Sequence, residues 1–71
     1  MVDSTQQEML RKLSRIVDLS PGIRLGQLME HLGFLAEDMF DHGLADLEDD
    51  QLLRVLERRE AELSRRQSNV A

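Results

Sequence analysis

A chain of 71 residues without a single cysteine has neither disulfides nor thiolate metal sites to support it, and at this length it forms one small domain at most. Fourteen Asp and Glu stand against nine Lys and Arg, a balance that argues against nucleic acid or anionic lipid as a partner. The opening MVDSTQQEML lacks a basic segment followed by an apolar run, and no apolar stretch approaches the ~20 residues that span a bilayer, so a soluble cytoplasmic protein with no membrane contact is expected.

Leucine dominates the apolar residues, with only two phenylalanines and one proline, a mixture that suits helices better than sheets. Three helices are expected, at about 5–18, 21–41 and 49–66, with 67–71 as a frayed tail. In the first, Met9, Leu10, Leu13, Ile16 and Val17 share one face at helical spacing. Asp3 or Ser4 is placed to cap it, and Ser4 with Gln7 has the capping-box spacing. Leu19-Ser20-Pro21-Gly22 then ends it, with Ser20 as cap and Pro21 as first residue of the next helix, or with the next helix starting at Ile23.

Along the second helix, Leu25, Leu28, Met29, Leu32, Leu35, Ala36, Met39 and Phe40 fill one continuous arc. Gly26 and Gly33 lie about 20° apart at its edge, a notch that would let another backbone or a bulky side chain approach closely. A continuous helix is expected, with a break at Gly33 as the alternative. Gly43 is the candidate left-handed residue after it. Phe34 projects opposite the arc, among Glu30, Glu37 and Asp41. It either turns back onto Leu44 and Leu47 or stands exposed as an anchor for a partner.

The third helix carries Leu52, Leu53, Val55, Leu56 and Leu63 as its stripe, with Asp49 and Asp50 where the helix dipole favours acids. Leu47 and Leu52 are spaced as a hydrophobic staple. Asp50–Arg54, Arg58–Glu62 and Glu62–Arg66 are expected as ion pairs four residues apart. Together these elements predict a small all-α protein, a three-helix bundle or a helical hairpin with a third helix packed on it.

Charge is unevenly spread. Residues 1–22 are neutral, residues 23–50 hold one arginine against eight acids, and residues 51–71 hold five arginines against three glutamates. The run Pro21-Gly22-Ile23-Arg24-Leu25-Gly26-Gln27-Leu28, with the later Glu48-Asp49-Asp50 and Leu52-Leu53, resembles a group of short bacterial proteins sharing a P-x-x-R-x-G-Q-L stretch and an acidic E-D-D-x-L-L stretch. That resemblance implies a small bacterial domain and brings no catalytic residue. It draws attention to Arg24, which an antiparallel pair of chains would bring to the acids Asp49 and Asp50.

Chemistry is sparse. His31 and His42 are eleven residues apart, about 16 Å along a helix, too far for one metal ion. Asp38 and His42 supply two ligands at most. The acids from Asp46 to Glu57 follow a calcium loop in outline, but Gln51 stands where its glycine belongs. No nucleophile constellation or phosphate-binding glycine loop is present. No cofactor, metal or enzymatic activity is therefore expected. A non-enzymatic protein–protein interaction or self-association module of a bacterial complex is the expected function, with Arg24, Gln27, Glu30, Phe34, Glu37, Asp38, Asp49 and Asp50 as its docking residues. The partner would be a second copy, as a homodimer, or a basic protein with an apolar socket. The alternative is a small DNA-associated regulator using Arg11, Lys12 and Arg15 or Arg54, Arg58 and Arg65.

Overall fold

A computed structural model describes the backbone of residues 4–69 and the side chains of residues 4–66. Among them are three helices, α1 (Ser4–Asp18), α2 (Leu25–Phe40) and α3 (Asp49–Asn69), and one 3-10 turn at Leu44–Asp46. The protein is a small three-helix bundle. Asp3, one of the two expected caps of α1, lies outside the described residues, as do 70 and 71. Ser4 is already helical. The last helix continues to Asn69, beyond the expected end at Arg66.

The second helix starts later than its apolar pattern suggests. Pro21 is not its first residue: Gly22 has φ of +83°, and the Ile23 N–H donates to the Ser20 carbonyl at 3.3 Å. Ser-Pro-Gly-Ile is thus a β-turn with proline at its second position and a left-handed glycine at its third, which stops helix propagation. Arg24 is the cap residue instead, and its N–H donates to Oε1 of Gln27 at 3.4 Å. Arginine has no acceptor, so the reciprocal half of a capping box is missing. The same device starts α3, where the Glu48 N–H donates to Oε1 of Gln51 at 3.0 Å. Leu47 and Leu52 both pack on the core around that start, as a staple requires.

At its far end α2 runs unbroken through Gly33 and closes on Asp41. Asp41, rather than Gly43, takes the left-handed conformation, with φ of 61° and its N–H on the Glu37 carbonyl at 2.9 Å. Aspartate tolerates that region better than most side chains. Gly43 is extended.

Packing centres on α3. Both α1 and α2 lie against it, with little contact between each other. The buried hydrophobic residues are Met9 and Ile16 of α1, Leu28, Leu32 and Ala36 of α2, and Val55, Leu56 and Leu63 of α3. Gln6 reaches Asp49, while Lys12 and Arg15 reach Glu60, so α1 and α3 run in the same direction. Val17 faces Leu25 and Leu28 across one cleft, and Leu10 and Leu13 face Met29 and Leu32 across the next, so α1 and α2 are antiparallel.

A candidate docking surface

Five apolar residues of α1 cover an arc of about 120°, wider than one neighbouring helix can bury. Only Met9 and Ile16 reach the core, Leu13 is half-buried, and Leu10 and Val17 stay exposed, Leu10 at 60%. The facing edge of α2 behaves alike: Leu28 and Leu32 are buried, while Leu25 and Met29 are exposed, at 60% and 40%. Because the two helices barely touch, an apolar seam opens between them. Its wider part is a groove of about 450 Å³, with Leu10 and Met29 on its walls and Leu52 and Leu56 of α3 among the residues lining it. A smaller cleft of about 200 Å³ continues it past Val17 to Ile23 and Leu25. Each step from cleft to cleft is one helical turn, so the two form a single strip.

The ends of the strip differ. Gln6 and Asp49 close the groove, the Gln6 amide donating to Asp49 Oδ2 at 3.5 Å. At the other end, Ser20 lines the small cleft with its hydroxyl buried and without a hydrogen-bond partner. Arg24 sits beside Leu25, and among the described residues no carboxylate lies within ion-pair distance of it.

The expected docking residues do not form one patch. Arg24 and Gln27 begin α2, whereas Asp49 and Asp50 begin α3 at the opposite end of the seam. Glu30 and Glu37 are exposed on the outer side of α2. Phe34 is 61% exposed and does not fold back onto Leu44 and Leu47, which pack on the core. Nor is it surrounded by acids alone. With His31, Leu35 and Asp38 it lines an open cleft against Arg59, Glu62 and Arg66 of α3. Arg59 leaves its Nε buried and unpaired there, while its Nη1 lies 3.7 Å from Glu62.

Among the described residues the glycine notch serves no contact. A Cβ added at Gly26 or Gly33 would meet nothing within 4 Å. The arginines expected to pair along α3 do so only in part: Arg58 reaches Glu62 at 3.7 Å, but neither Asp50–Arg54 nor Glu62–Arg66 forms among the described residues. Lys12 and Arg15, candidates for a DNA-binding face, instead hold Glu60 of α3 at 3.5 and 3.3 Å. Arg11 is paired with Glu8 at 2.8 Å. That hydrogen bond, aided by the charges of Arg11 and Lys12, keeps the Glu8 carboxyl below its ordinary value.

Among the described residues no group of three or more His, Asp or Glu is placed to hold a metal ion, and no helix is long and apolar enough to cross a membrane. Asp49 and the residues after it are helical, so the outline of a calcium loop is not followed by the backbone. Compared with protein-family models, curated proteins and solved structures, the chain matches none.

The seam was not marked out by the sequence pattern, because Leu10, Val17, Leu25 and Met29 read as core. The available signal was the width of the α1 arc: one neighbour, α3, covers only half of it.

Proposed function

We propose that this protein is a non-enzymatic protein–protein interaction module, a self-associating subunit or adaptor of a larger bacterial cytoplasmic assembly, and that the α1–α2 seam is its docking surface. One observation supports this above the others. Leu10, Val17, Leu25 and Met29 form a contiguous apolar strip that the fold leaves uncovered. Contiguous apolar surface of this kind marks interaction sites, whereas singly scattered exposed residues do not. Phe34, with Glu30, Glu37 and Asp38, offers a second face on the other side of α2. For the DNA-associated alternative, Arg11, Lys12 and Arg15 are already paired with Glu8 and Glu60, whereas of Arg54, Arg58 and Arg65 only Arg58 is in an ion pair among the described residues.

Site-specific photo-cross-linking in the native cells tests the reading. A cross-linker at Leu10 or Met29 is expected to capture one discrete protein, and one at the exposed Glu57 of α3 to capture none. Equal capture at all three positions, or none at any, would contradict it.

A further inference from the structure

We infer that the occupant of the seam is a second copy of this chain, laid across it in the opposite direction, so that Arg24 of each protomer meets Asp49 and Asp50 of the other. This rests on the reading of the seam as a docking surface and adds the occupant and its orientation.

The charges at the two ends carry the inference. Asp49 closes the groove, and Asp46, Glu48 and Asp50 crowd around it in the sequence. Among the described residues, none of the four is in an ion pair. The other end has Arg24, also unpaired, at the start of a helix whose first turn holds no acid, and Asp18 at the end of α1 is the acid of that end against four at the other. Reversing one copy on another sets each acidic end over a cationic one, and two-fold symmetry makes the contact twice. Parallel stacking would set acid on acid. The spacing matches by identity: the 16 residues of α2 separate the ends by about 24 Å in both copies.

One further feature agrees. Gly26 and Gly33 lie on the same edge of α2 as Met29, with open space over them where a crossing helix can come close. Two helices side by side are ~20 Å wide, so the shared face is on the order of 500 Å² per protomer, at the low end for specific interfaces.

Charge reversal with purified full-length chains tests both occupant and orientation by sedimentation velocity. Arg24→Glu alone, and Asp49→Arg/Asp50→Arg alone, each place like charges at both ends and are expected to weaken self-association by roughly tenfold or more. Mixed in equal amounts, the two variants are complementary at both ends, and the mixed dimer is expected to return to within about threefold of the wild-type affinity. Should Asp49→Arg/Asp50→Arg lose helicity, Asp49→Asn/Asp50→Asn replaces it, and its mixture with Arg24→Glu is expected to associate more tightly than either alone. A wild-type chain that remains at 8.2 kDa up to ~1 mM overturns the second copy, and leaves cross-linking at Leu10 to judge the docking reading. Self-association indifferent to the swaps overturns the orientation.

Discussion

Gly22 and Gly33 have the same side chain and opposite roles. Gly22 takes φ of +83° in the Pro-Gly turn, a conformation an L side chain enters only with strain, so Gly22→Ala is expected to lower stability by about 1 kcal/mol. Gly33 is helical with empty space above it, so Gly33→Ala should raise stability by up to about 1 kcal/mol. Thermal melts of the two variants read both signs. The sequence allowed either a helix start or a turn at Ser20-Pro21-Gly22, because proline suits the first position of a helix and the second of a turn alike. The positive φ of the glycine decides it. Glu8 makes a second test at this scale. Its carboxyl is held below the ordinary value mainly by the Arg11 hydrogen bond, so its contribution to stability is fully present above the ordinary carboxylate range and is lost as pH falls through the lowered value. An NMR titration should place the Glu8 midpoint below that of an unpaired glutamate, and Arg11→Ala should return it.

Helix existence and type were legible, because all three apolar stripes recur with the helical period, and Pro21-Gly22 and Gly43 follow the first two. Boundaries were less so. The starts of α2 and α3 depend on Gln27 and Gln51, each accepting the N–H of a cap residue, Arg24 or Glu48, whose own side chain is a poor cap. Gln27→Ala and Gln51→Ala should each cost roughly 0.5–1 kcal/mol, while Gln→Glu at either position, which keeps the acceptor, should cost little. Chemical denaturation of the four variants separates the two cases. The docking surface was illegible for a different reason. A helical wheel gives the width of an apolar face but not how much of it a neighbour covers, and α1 and α2 each present to α3 only part of what they carry.

At the scale of the whole molecule, the eight buried hydrophobic residues among the described ones are a small core, and chains of this size rarely hold more than ~3–5 kcal/mol of stability from such a core alone. Leu32, 1% exposed at the centre, should cost ~2–5 kcal/mol when cut to alanine, enough to unfold much of the population. Leu10 and Met29, equally apolar, lie on the open seam and contribute little to the isolated fold. In the proposed dimer their burial would add stability that the core alone does not supply. The most direct test is sedimentation equilibrium of the wild type and of Leu10→Glu/Met29→Glu over loading concentrations from ~10 μM to ~1 mM, the range where a small interface dissociates. The wild type should rise from 8.2 kDa toward twice that mass, while the variant, still fully helical, stays at the mass of one chain. A variant that associates as the wild type does would contradict the assignment of the seam as the contact surface.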